Sequence, residues 1–212
     1  MKTKLLAFAL SVCLAFCVLC SCGVAENTTE TTGTTSTNDI TDHDPDAISA
    51  DSIDEFIETI KTSKAAPAKA IRSEGTFYYP EPVCEGYELT SVVSMLHSVH
   101  DYTVTFSFTA TDDTQIYGEY IDVITLYEIN DKLSYQDAAL SRMDSLKKKY
   151  TKLADGNVYS KKDYELYFLY GDHVHLLPVD KNYIDSTYID KNFMDDLSWQ
   201  DFIEMKSIDV KK

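Results

Sequence analysis

Apolar residues are spaced along this chain in three ways, and each spacing predicts a different element. Between Leu5 and Leu19 they run nearly unbroken. Ile53, Phe56, Ile57 and Ile60 fall at i, i+3, i+4 and i+7, and Ser52 with Glu55 forms a capping-box pattern, which predicts a helix opening there. From Tyr102 to Ala110 the period is two: Tyr102, Val104, Phe106 and Phe108 alternate with Thr103, Thr105, Ser107 and Thr109. That predicts an antiparallel strand with one face buried and the other, a row of hydroxyls, in water.

Weaker signals fill in the rest. Pro67 is expected to end the first helix's continuation. Thr76 to Tyr79 reads as a short strand stopped by Pro80-Glu81-Pro82, and Tyr87 to Leu96 as the next. A polar turn from Thr111 to Gln115 precedes a strand from Tyr117 to Ile129, β-branched and aromatic throughout. A second helix follows Ser134, capped through Asp137, with Ala139, Met143, Leu146 and Tyr150 on one stripe. Lys147, Lys148 and Lys149 complement the negative end of its dipole.

After the turn at Asp155-Gly156-Asn157, the segments Val158–Ser160, Tyr164–Tyr170 and His173–Val179 predict a three-stranded meander, with Gly171-Asp172 as its second tight turn. A last helix is expected from Ser198, with Asp201 three residues on, Leu197 stapled to Phe202, and Trp199, Phe202 and Ile203 buried. That order implies an α+β domain: an antiparallel sheet of about six to seven strands with helices packed on one side. No repeat of 20 to 50 residues is visible.

The unbroken run belongs to a leader. Lys2 and Lys4 form a basic start, Leu5 to Leu19 an apolar stretch, and Leu19-Cys20-Ser21-Cys22 its close. Fifteen residues of helix reach only about 22 Å, short of a hydrocarbon core about 30 Å thick. Leu at minus three, Ser at minus one and Cys22 at plus one resemble the bacterial lipobox, with Cys20 at minus two as the departure. The resemblance implies removal of residues 1–21 and diacylation of Cys22, and two acyl chains anchor stably where one does not. The lipid bilayer is then a partner, and the outer face of the cytoplasmic membrane the expected location.

Behind Cys22, residues 22–47 are Thr-rich and then Asp-rich, with too little apolar surface to offset the entropy of ordering. They predict a tether reaching roughly 25 to 30 Å, whose threonines suit O-glycosylation. Residues 48–212 form the single extracytoplasmic domain.

Charge narrows the partners. The chain has 19 basic and 35 acidic side chains, and losing Lys2 and Lys4 with the leader leaves about −18, which repels nucleic-acid backbones and anionic headgroups. Of five cysteines only Cys84 is left for the domain, so no internal disulfide can form and the fold rests on its core.

The Ser52-Ile-Asp-Glu-Phe56 helix, Phe77-Tyr78-Tyr79-Pro80, and Gly86-Tyr87-Glu88-Leu89 followed by a Tyr/Phe-rich strand resemble uncharacterised lipoprotein domains of low-GC Gram-positive bacteria, over residues 52–130. That resemblance implies fold and location and carries no activity.

Candidate chemistry is sparse. His173 and His175 lie two apart on one strand face, with Phe168 and Tyr170 beside them in the hairpin register. Such a pair can give zinc or copper two ligands, with His97, His100 and Asp101 as further candidates, or can sit in ordinary hydrogen bonds. Cys84, in a Pro-rich loop, is either a nucleophile needing a histidine base or a packing residue. Asp112-Asp113, Asp195-Asp196 and Glu81 with Glu85 are acidic pairs of the kind a glycosidase spaces, or a solvated surface. Asp180 to Asp185 fails the calcium-loop pattern at Ile184.

Fifteen tyrosines, all after residue 77, supply either buried rings with wet hydroxyls or a patch for a sugar or protein. The expectation is a non-enzymatic surface lipoprotein binding a protein or glycan at the cell envelope, with no cofactor and no catalytic residue assigned. A small hydrolase or metal-binding protein is the alternative, and a solute-capture lipoprotein the third reading.

Overall fold

The computed structural model describes residues 47–98, 101–111, 116–128, 132–188 and 193–211. The expected leader 1–21, Cys22, the tether up to residue 46, His100 and the Asp112-Asp113 pair lie outside the described residues. The fold is α+β. Strands β1 (Ala47–Ala50), β3 (Tyr87–Ser98), β4 (Asp101–Ala110), β5 (Tyr120–Glu128), β6 (Thr151–Lys152), β7 (Val158–Ser160), β8 (Glu165–Tyr170) and β9 (His173–Pro178) make one antiparallel sheet, in the order β1-β3-β4-β5-β9-β8-β7-β6. β2 (Thr76–Pro82) and β10 (Ile203–Asp209) form a separate two-stranded ribbon.

The first helix, α1 (Ile53–Thr62), forms as its spacing predicts. Ser52 accepts from the Glu55 N–H at 3.2 Å, and Phe56, Ile57 and Ile60 are buried. Burying each such side chain contributes about 1.5 to 3 kcal/mol. Glu55 reaches back to the Asp51 N–H rather than that of Ser52.

Pro67 does not end helical structure. It lies in the first turn of a second helix, α2 (Ala66–Glu74), where a missing N–H costs nothing. Gly75, with φ of 86°, closes that helix in the left-handed conformation and turns the chain into β2. Arg72 ties the two helices together, donating to the carbonyl of Ser63 at 2.9 Å and also to that of Ile60.

The alternation in β4 holds throughout: Tyr102, Val104, Phe106 and Phe108 are buried, and the Thr/Ser positions between them are half-buried. They pair with Tyr127, Thr125, Val123 and Ile121 of β5 on the same face. Against that face lie α1, α2 and residues of the ribbon, with Phe77 packed on Phe56 and Phe106 at 5.5 and 6.0 Å between ring centroids.

Helix α3 (Tyr135–Lys149) is capped by Ser134, which accepts from the Asp137 N–H. It covers the opposite face: Ala139 and Met143 pack with Val158, Tyr167 and Val174. Strands β7, β8 and β9 are therefore buried from both sides, whereas β3, β4 and the start of β5 are covered from one.

The expected helix after Ser198 is a correction. Only a 3-10 turn, Trp199–Asp201, forms, with the Ser198/Asp201 capping box in place. The chain then runs into β10, which pairs residue for residue with β2 from Ile203↔Pro82 to Asp209↔Thr76. Cross-strand pairing overrides the local helix signal once Phe202 and Ile203 are buried. Short helices α4 (Lys181–Thr187) and α5 (Phe193–Asp196) complete the described elements. Asp180, in the run that fails the calcium-loop pattern, is the N-cap of α4, accepting from the Asn182 and Tyr183 N–H groups at 2.8 and 3.0 Å. No helix among the described residues is long and apolar enough to cross a membrane.

Candidate functional site

The hairpin β8–β9 places Phe168 opposite His175 and Tyr170 opposite His173, as its register predicts. Both histidines are buried, and they have different partners. His175 Nε2 lies 3.2 Å from the Tyr170 carbonyl and Nδ1 lies 3.0 Å from Thr125 Oγ1. A carbonyl only accepts, so Nε2 carries the proton and Thr125 donates to Nδ1. Burial, with His173 adding to it, lowers the His175 pKa to about 3 and keeps the ring neutral.

His173 sits at the rim of the sheet against a carboxylate. Glu74, the last residue of α2, brings Oε2 to 2.8 Å from His173 Nε2, and both side chains are 5% exposed or less. The contact is close but not an aligned hydrogen bond, because Oε2 has no partner in bonding geometry. Glu74 Oε1 accepts from the Tyr102 hydroxyl. Burial pushes the Glu74 carboxyl above its ordinary value, with the contacts to His173 and Tyr102 pulling the other way. Burial and the Glu74 charge raise the Tyr102 and Tyr127 hydroxyls well above theirs.

Aromatic rings close around this pair. Tyr127 lies 4.1 Å from the His173 ring and stacks on Tyr102 at 4.3 Å, while Tyr78 and Tyr135 present edges at 6.0 and 5.9 Å. Gly171 (φ 57°) lets the hairpin pass under Tyr78, since an added Cβ would stand 2.4 Å from the Tyr78 Cζ. The set Glu74–His173–Tyr102 has the composition of an acid–base relay, but it is sealed from solvent and from substrate.

Glu74 was legible in principle. Pro67, Ile71 and Glu74 fall at i, i+4 and i+7, which puts the acid on the buried stripe of α2, but reading Pro67 as a terminator hides the helix. Tyr127 could have been found from the alternation Ile121, Val123, Thr125, Tyr127.

His97 and Asp101 do not converge with His173 and His175. His97 pairs with Thr103 Oγ1 at 2.9 Å, and a cavity of about 220 Å³ there is lined by His97, Asp101 and Arg142 and reaches Tyr102 and Tyr127 of the cluster. Among the described residues no three His, Cys, Asp or Glu side chains converge to hold a metal ion. Cys84 is half-buried in the turn after β2, and the described histidines all bond elsewhere. Glu81 lies 3.8 Å from Lys206, and Asp195 and Asp196 are exposed.

Tyr102, Tyr127, Tyr159, Tyr167 and Tyr188 are buried, and half-buried Tyr87, Tyr117 and Tyr170 bond their hydroxyls to backbone carbonyls. Tyr117 donates to the Asp201 carbonyl at 2.6 Å, and burial pushes its pKa to about 12. Tyr87 donates to the Gly118 carbonyl at 2.7 Å.

The side chains that do open outward include Trp199. The capped turn holds its ring on Phe168, parallel within 9° at 4.5 Å, with the Tyr170 ring edge-on at 5.9 Å. Tyr170 is fixed in turn by its bond to the Met205 carbonyl at 3.3 Å. Beside Trp199 lies a cavity of about 350 Å³ with Val83, Gln200 and Glu204 at its rim. It combines a rigid aromatic floor with an amide and a carboxylate. No known protein family matches the chain, and neither curated proteins nor solved structures give a match.

Proposed function

We propose that this chain is a surface lipoprotein, held on the outer face of the cytoplasmic membrane by acyl chains on Cys22, whose domain binds a glycan of the cell envelope in the cleft beside Trp199. The observation that carries the reading is that cleft: about 350 Å³ with Trp199 seated on Phe168 and Gln200 and Glu204 beside it. The C–H face of a sugar ring stacks on a rigid indole at low entropic cost, and a few polar groups at the edge take its hydroxyls. The groups best suited to acid–base chemistry, Glu74 and His173, are buried away from that cleft's rim, which favours binding over hydrolysis.

Trp199 is the single tryptophan in the chain, so its emission reports on this cleft alone. Titration of the protein with soluble cell-wall glycan fragments is expected to shift and quench that emission saturably. Trp199→Ala is expected to abolish capture of the same fragments, read by sedimentation. Unchanged emission at saturating fragments refutes the glycan reading. The anchor is tested separately: Cys22→Ala is expected to release the protein from membranes, and continued retention refutes it.

A further inference from the structure

Basic side chains are unevenly placed on this acidic chain. Six of its 19 Lys and Arg residues fall between Lys147 and Lys162, a stretch with one acid, Asp155. The structure gathers the two ends of that stretch. The C-terminal turn of α3 and the β7–β8 turn meet around an open cleft of about 370 Å³, with Lys149, Tyr150 and Thr151 on one side and Ser160, Lys161 and Lys162 on the other.

None of these lysines makes an ion pair among the described residues, although acids outnumber bases nearly two to one. The nearest acids are engaged: Asp163 accepts from the Ser160 hydroxyl at 2.8 Å and Glu165 from the Tyr167 hydroxyl at 2.6 Å. Three ammonium groups thus line one cleft with no salt bridge among the described residues, and Asp163 and Glu165 act on Lys149 only from beyond ion-pair distance.

We infer that this cleft binds a flexible, phosphate-bearing linear polymer. A phosphate chain matches three ammonium groups and adjacent hydroxyls, and at physiological salt the screening length is only about 8 Å, so the negative charge elsewhere does not cancel the local attraction. A planar anionic membrane fits less well, because it would also meet the acidic surface around the cleft. The position agrees: the chain enters the sheet at the β1 edge, and the cleft lies at the β6–β7 edge, seven strand spacings or about 34 Å away.

A nucleic acid fits less well too. Base recognition needs open aromatic faces, and Tyr150 is already stacked on Tyr167 at 5.7 Å and lies under the Lys149 ammonium at 4.5 Å. The cleft can grip phosphate and has little to offer a base. This inference does not depend on the Trp199 reading, since the two clefts have different linings and different reporters.

The test uses the full chain in neutral detergent, titrated with linear polyphosphate. Saturable binding is expected, weakened at least about tenfold in the triple variant Lys149→Gln/Lys161→Gln/Lys162→Gln, with the slope of log affinity against log salt reduced by about two. A control triple variant, Lys61→Gln/Lys64→Gln/Lys69→Gln, removes the same charge from α1 and α2 and is expected to change affinity less than about twofold. Melting temperatures check that both variants fold.

No polyphosphate binding by the unmodified chain, or equal losses in the two variants, overturns the inference. Stronger partition to phosphatidylglycerol than to phosphatidylcholine vesicles without polyphosphate binding overturns it in favour of a membrane. Tighter binding of oligothymidine at equal charge overturns it in favour of a nucleic acid.

Discussion

The two halves of the eight-stranded sheet are built from the same antiparallel ladder and solve burial differently. β3, β4 and β5 are long and covered mainly on one face; β4 alternates buried apolar with half-buried polar residues, while β3 and β5 bury Ser94 and Thr125 among their apolar neighbours. β7, β8 and β9 are short, lie between the main core and α3, and are buried in consecutive runs such as Leu166–Phe168 and His173–His175. A strand covered on one side can leave its polar side chains to water. A strand covered on both must bond every polar group internally, and this is where His173 and His175 acquire Glu74, Thr125 and the Tyr170 carbonyl.

The largest expected effect that tests this contrast is at Phe168, fully buried between His175 and Trp199. Phe168→Ala is expected to cost about 3 to 5 kcal/mol in urea denaturation, while Thr105→Ala on the one-sided half stays within about 0.5 kcal/mol. Comparable losses at the two positions would break the distinction. Close behind comes Glu74→Ala, which leaves the buried Tyr102 hydroxyl without its acceptor and is expected to cost about 1 to 3 kcal/mol.

Acid sensitivity should also come from the two-sided half. His175 is held neutral, with a pKa of about 3 against 6.5 when free, so the unfolded chain binds its proton first. Its contribution to stability is present above pH 6.5 and is lost as pH falls from there towards 3. Glu74 works in the other sense: its carboxyl is raised above 4.5, so its contribution is greatest below that value and falls as pH rises through the native value. His175→Gln is therefore expected to flatten the loss of stability on acidification below pH 6.5, measured as unfolding free energy against pH. An unchanged slope would place the sensitivity elsewhere.

The smallest effect has the opposite sign. Tyr127 buries its hydroxyl without a hydrogen-bond partner among the described residues. Tyr127→Phe should stabilise the protein by about 1 kcal/mol in the same denaturation assay.

The same contrast explains what could be read in the chain. β4 is legible because alternation survives wherever one face is solvated. The meander is legible through its turns, Gly156 and Gly171, rather than through its strands. Residues 198–203 mislead because a capping box fixes only one turn, and whether helix or strand follows is decided by β2, more than 100 residues earlier. Glu74 is hidden for a related reason: a proline that ends one helix also suits the start of the next. The paired histidines are visible in sequence, but the exposed placement of His97 depends on a bulge-containing register in β3 that no local pattern reveals.

The ribbon has a consequence for the order of events during synthesis. β2 is made more than 100 residues before its ladder partner β10. Until residues 203–209 emerge, the segment carrying Phe77 lacks the strand that holds it over the sheet. Closure of the ribbon therefore waits for residue 209, as long-range pairing makes folding slow. A nascent chain of this design carries an unpaired β2 edge until its partner strand is made.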